Sequence, residues 1–75
     1  MGHPAGTEDV AIGGDMIRLG QFLQVAGLLD TGGQAKQVIA DGEVRVNGET
    51  ETHRGRQLHH GDVVSLGGVS VRIQP

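Results

Sequence analysis

Thr31-Gly32-Gly33-Gln34-Ala35-Lys36-Gln37-Val38-Ile39-Ala40-Asp41-Gly42, followed directly by Glu43-Val44-Arg45-Val46-Asn47-Gly48-Glu49-Thr50-Glu51, passes from a helical to a strand pattern within one short segment. Thr31 and Gln34 have the spacing of a capping box, in which the threonine side chain accepts from the Gln34 amide and the glutamine side chain reaches back. Ala35, Val38 and Ile39 then supply an apolar helical stripe, and Asp41-Gly42 closes the helix. Val44-Arg45-Val46 alternates apolar and polar residues, and Asn47-Gly48 is the dipeptide that most readily takes the positive φ angles of a type I′ hairpin.

Upstream of this stretch, Leu19, Phe22, Leu23 and Ala26 follow the i, i+3, i+4, i+7 spacing of a second amphipathic helix, with Gln21 and Gln24 on its other side and Gly27 placed to cap it. Leu29-Asp30 joins the two helices, neither of which is long enough to be stable alone. Downstream, Val63-Val64-Ser65-Leu66 and Val69-Ser70-Val71-Arg72-Ile73 flank Gly67-Gly68 as another hairpin. Between the hairpins lie the loop His53-Arg54-Gly55-Arg56, then Leu58 and the turn Gly61-Asp62. The expected fold is α+β: two short helices packed on a small, mainly antiparallel sheet.

Seventy-five residues make one domain with a modest core, which leaves little room for a deep catalytic cavity. Cysteine is absent, so disulfides and thiolate metal sites are excluded. Residues 1–14 are glycine-rich and short of apolar side chains apart from Val10-Ala11-Ile12; they read as a flexible acidic tail, with the domain spanning 15–75. No signal-peptide pattern and no membrane-length apolar run is present, and a cytoplasmic location is the default expectation.

The net charge of -3 is carried by Glu8, Asp9 and Asp15 in the first sixteen residues; from Ile17 onward six basic residues balance six acidic ones. Any basic patch must therefore arise from placement of charge, not from its amount. Phe22 is the only aromatic residue and lies on the apolar stripe, so folds that stack bases on exposed aromatics are excluded.

Three groups of residues bear on function. The glycine-rich start of the second helix exposes backbone N–H groups to an anion, with Lys36 one turn inside; the residue spacing is not that of a nucleotide P-loop. Arg54-Gly55-Arg56 sets two guanidiniums, which suit phosphate oxygens, on a loop. Arg45 alternates with valines and should leave the solvent face of its strand. If Arg45 shares a face with Lys36 and the arginine loop, one positive surface results. His53, His59 and His60 lack the spacing of a zinc motif, and no nucleophile, base and orienting group stand together. Neither a metal, a cofactor nor a small-molecule substrate is expected.

The ordered succession Ile17-Arg18-Leu19-Gly20-Gln21-Phe22-Leu23, Gly27-Leu28, Thr31-Gly32-Gly33-Gln34-Ala35-Lys36, Gly42-Glu43-Val44-Arg45-Val46-Asn47-Gly48 and Gly61-Asp62-Val63-Val64 resembles the RNA-binding domain named after small-subunit ribosomal protein S-four, also called the alpha-L motif. Thr52-His53-Arg54-Gly55-Arg56-Gln57-Leu58 is similar to a Thr-Arg-Arg-Gly-Arg-Lys-Leu run in small stand-alone bacterial members. His53 and Gln57 replace basic residues there, which implies weaker and more pH-dependent binding.

The resemblance covers residues 17–73 and implies a non-catalytic module that docks on structured RNA, chiefly ribosomal RNA or a ribosomal subunit. Its surface would comprise Arg18, Thr31, Gln34, Lys36, Gln37, Arg45, Arg54 and Arg56. A protein-interaction module without RNA binding is the alternative that the neutral folded charge favours; salt dependence separates the two. A ubiquitin-like sulfur carrier is not expected, because such carriers end in Gly-Gly and this sequence reads Arg72-Ile73-Gln74-Pro75.

Overall fold

The capping box forms as its spacing implies: Gln34 N donates to Thr31 Oγ1 at 3.1 Å, and Gln34 Oε1 accepts from the amides of Thr31 and Asp30 at 3.3 and 2.9 Å. It opens helix α2, Gly32–Ala40, in the computed structural model, which describes residues 7–75. Helix α1, Leu19–Val25, precedes it.

Both helices end in the same way. Gly27 and Gly42 adopt φ of 75° and 77°, a left-handed conformation that only glycine reaches without steric cost. The amides that follow then fold back: Leu28 N donates to Leu23 O, and Glu43 N to Val38 O, each at 3.0 Å. These are Schellman closures, which satisfy carbonyls that would otherwise lack partners. Replacing Thr31 by alanine removes one partner of the cap and is expected to cost about 1 kcal/mol, read as a lower urea midpoint with the m-value unchanged.

The strands are β1 (Thr7–Ala11), β2 (Met16–Arg18), β3 (Val44–Val46), β4 (Glu49–Thr50), β5 (Gln57–His59), β6 (Val63–Leu66) and β7 (Val69–Gln74). One sheet has the order β1-β7-β6-β3-β4, and β2 pairs with β5 in a second. Every pairing is antiparallel except β1 with β7. The fold is thus the expected α+β arrangement. Asn47 and Gly48 take φ of 53° and 87°, as a type I′ turn requires, and Val46 pairs with Glu49 across it.

One side of the large sheet supplies Val44, Val46, Val64, Val71 and Ile73 to the core; the helices supply Leu19, Phe22, Leu23, Ala35 and Ile39. Ile17 and Leu58, directly opposite each other on β2 and β5, close it from the side. An Asn47–Asp62 clamp ties the turns together: Asn47 Nδ2 donates to Asp62 Oδ1 at 3.1 Å, Val63 N to Asn47 Oδ1 at 2.9 Å, and His59 N to Asp62 Oδ2 at 2.8 Å. Burial pushes the Asp62 carboxyl up, but the hydrogen bonds from His59 and Asn47 outweigh it and leave it below its ordinary value.

Two elements depart from the sequence reading. Residues 7–11, read there as part of a tail, form β1, whose Val10 lies opposite Ile73 and packs on the core. The acidic side chain of Asp9 faces outward, accepts from Gln74 Nε2 at 3.1 Å and lies 3.9 Å from Arg72. The rest of the expected tail, residues 1–6, lies outside the described residues. The β2–β5 pair was likewise not foreseen as strands, because each has only one buried side chain to mark it.

Candidate nucleic-acid interface

The start of α1 builds the site. Arg18 at its N-cap provides no side-chain cap, so the first helical N–H groups need partners from elsewhere. The loop after the first hairpin supplies them: Leu19 N donates to Arg56 O and Gly20 N to Arg54 O, both at 2.9 Å. Arg18 Nη1 returns a bond to Gly55 O at 3.0 Å. Main-chain satisfaction at a helix end thereby draws the arginine loop against α1, and Arg54 comes close to Arg18.

Helix α2 forms the other wall. Between the two lies an open groove of about 290 Å³ lined by three cations, Arg18, Lys36 and Arg54. Gly20, Gly32, Ala35 and Gly55 keep its walls low, and the amides of Gln21 and Gln24 border it. No acidic side chain lines the groove, and among the described residues none of the three cations has a carboxylate within salt-bridge distance. A chain with a net charge of -3 thus carries a local cluster of three positive charges without carboxylate partners, open to solvent.

The other residues singled out in the sequence lie elsewhere or have other partners. Thr31 and Gln34 are turned toward each other in the cap at the head of α2, beside Gly32 and Gly33, which carry the remaining first-turn N–H groups. Gln37 Nε2 donates to both carboxylate oxygens of Asp41, at 3.0 and 3.1 Å. Arg45 lies between buried Val44 and Val46, so it projects from the sheet face turned away from the core, next to Thr50 and Ser65 on the neighbouring strands. It does not line the groove. Gly20, Gln21, Gln24 and Gly55 do line it; for Gln21 and Gln24 the signal in the sequence was the polar side of α1, and for Gly55 its place in the arginine loop.

Arg56 is held by Glu51, Nη1 to Oε1 at 2.6 Å, while the other oxygen of Glu51 accepts from the His53 amide at 3.1 Å and lies 2.9 Å from His53 Nδ1. The Arg56 hydrogen bond first, then those from His53, hold the Glu51 carboxyl down from 4.5 to about 2. A carboxyl with a depressed folded-state pKa stabilises the fold above its unfolded value, and that contribution fades as pH falls from 4.5 toward about 2. The urea midpoint of the protein should therefore drop across this window more than that of Glu51→Gln. Parallel profiles for the two would show that the carboxylate does not order the loop.

Two helices on a mainly antiparallel sheet, with a basic groove where the helices meet a loop, define a small α+β domain of the alpha-L type. The chain belongs to the S4 domain family, whose model matches residues 10–74.

It is 46% identical over 59 residues to the "Probable ribosome maturation protein RlbA" of Bacillus subtilis, an alignment covering 79% of this chain and 83% of that one. It is 37% identical over 57 residues to the "Putative RNA-binding protein YbcJ" of Escherichia coli, covering 76% and 81% of the two chains. Among solved structures, the 30S ribosomal protein S4e of Thermoplasma acidophilum superposes with a TM-score of 0.61 at 22% identity. That match covers 79% of this chain and 31% of the ribosomal protein, and it is a likeness of fold.

Proposed function

We propose that this domain binds structured RNA, chiefly ribosomal RNA, without catalysis, by seating the phosphate backbone in the groove between α1, α2 and the arginine loop. The observation that carries the proposal is the convergence of Arg18, Lys36 and Arg54 on one groove with no carboxylate among its lining residues. Two guanidiniums and an ammonium match phosphate oxygens, and membership of the S4 domain family supports RNA over other polyanions. The names of the Bacillus subtilis and Escherichia coli relatives point to ribosome maturation and to RNA binding, and a ribosomal target in the cytoplasm is the reading adopted here.

Within this proposal the remaining candidates divide by position. Thr31 and Gln34 shape the head of α2, Gln37 extends its exposed side, and Arg56 orders the loop that carries Arg54. Arg45 offers a separate contact for RNA that extends past the sheet.

The test is a titration with structured ribosomal RNA fragments at about 50 and about 200 mM salt. Three neutralised phosphates give a slope of about -2.1 to -2.7 in log affinity against log salt, so affinity should fall roughly 20- to 40-fold between the two conditions. Binding that is insensitive to salt would favour a protein-interaction module instead.

A further inference from the structure

We infer that the groove holds one unstacked nucleotide of the RNA, with Arg18 as the plane its base stacks on and Gln21 and Gln24 as the groups that read its edge. The inference rests on the RNA-binding reading and deepens it.

Size is the first ground. A lone phosphate would occupy a small part of the 290 Å³ groove, whose volume approaches the roughly 300 Å³ at which sites for whole small organic ligands begin. The depth comes from missing side chains. A Cβ built on Gly20 would lie 3.5 Å from Arg54, and one on Gly32 would lie 3.5 Å from Gln24 Nε2, so any larger residue at either position narrows the groove.

The second ground is the polar lining. Gln34, Gln37 and Gln74 each make side-chain hydrogen bonds within the domain, whereas among the described residues the amides of Gln21, Gln24 and Gln57 make none, and of these Gln21 and Gln24 border the groove. An amide presents a donor pair and an acceptor together, the complement that a base edge needs and a phosphate does not. Both amides are exposed at the groove and free to meet such an edge.

The third ground is Arg18. Its bond to Gly55 O at 3.0 Å fixes the guanidinium at the mouth of the groove. The only Phe, Tyr or Trp ring of the chain is buried and no histidine lines the groove, so the guanidinium of Arg18 is the flat surface available there for stacking a base. The narrow major groove of paired RNA hides its bases, so readable bases come from bulges and loops. The inference therefore commits to an extrahelical nucleotide with its flanking phosphates on Lys36 and Arg54.

The experiment compares a perfectly paired RNA hairpin with four counterparts bearing a single bulged A, C, G or U, each titrated at about 50 and about 200 mM salt. At least one bulged hairpin should bind about tenfold tighter than the paired one, the size expected of one stacked base. The double variant Gln21→Ala, Gln24→Ala should level the differences among the four bulges, and Arg18→Lys, which keeps the charge and loses the plane, should remove the preference for a bulge. Equal affinity for all five hairpins with a steep salt slope would overturn the nucleotide pocket and leave the RNA-binding reading standing. No binding to any of them would overturn both.

Discussion

Replacing Arg18, Lys36 and Arg54 together by alanine is expected to lower affinity for structured RNA on the order of 100-fold at about 50 mM salt and to flatten the salt dependence, each lost contact removing about one unit of slope. All three side chains are exposed and line one groove, and among the described residues none has a carboxylate partner. Their removal should therefore leave the fold nearly intact, since surface changes of this kind usually fall within about 0.5 kcal/mol. A urea titration alongside the binding curve separates the two effects. Arg45→Ala provides the contrast: on the far face of the sheet, it should change affinity by a few-fold at most, roughly one rim contact. If the triple variant binds RNA as the parent does while Arg45→Ala abolishes binding, the interface lies on the sheet and not in the groove.

Phe22→Ala should have the largest effect on the fold. Phe22 is fully buried beneath the groove-bearing helix, in contact with a core assembled from both helices and the large sheet. Loss of a buried phenyl ring costs about 3–5 kcal/mol. At the usual ~0.05–0.15 kcal/mol per residue, a domain of this size has roughly 4–11 kcal/mol in all. The melting temperature is expected to fall by about 15 °C or more, because in small domains each kcal/mol shifts it by about 4–8 °C. Phe22→Leu keeps much of the volume and should cost far less. A Phe22→Ala protein that melts within a few degrees of the parent would mean that the helices and the sheet do not share one core.

Local pattern carried much of the architecture. The α2 cap, the two left-handed glycines and the Asn47-Gly48 turn were legible because each is decided by the conformational limits and hydrogen-bonding reach of residues at most five apart. The resemblance in motif order led to the family that the comparison then established. Arg18, Lys36 and Arg54 were also visible as candidates, since exposed cations beside a helix start and on a glycine loop suit phosphate.

What the sequence did not decide is set by contacts between distant residues. β1 pairs with β7 across more than sixty positions, and a strand with one core-facing apolar residue has no local signature of its own. Burial of the Ile17–Leu58 pair makes strands of two segments that look like loop. The groove depends on the same kind of event: the unpaired amides of Leu19 and Gly20 find carbonyls in residues 54 and 56, and this bond pair brings Arg54 to Arg18. Tertiary structure likewise sorted the candidate cations, giving Arg56 to Glu51, turning Arg45 to the outer face of the sheet and leaving three around one groove. Sequence alone determined which residues could form the helices, the turns and the phosphate contacts. Folding decided which of them meet, because hydrogen-bond satisfaction and core closure act through space and not along the chain.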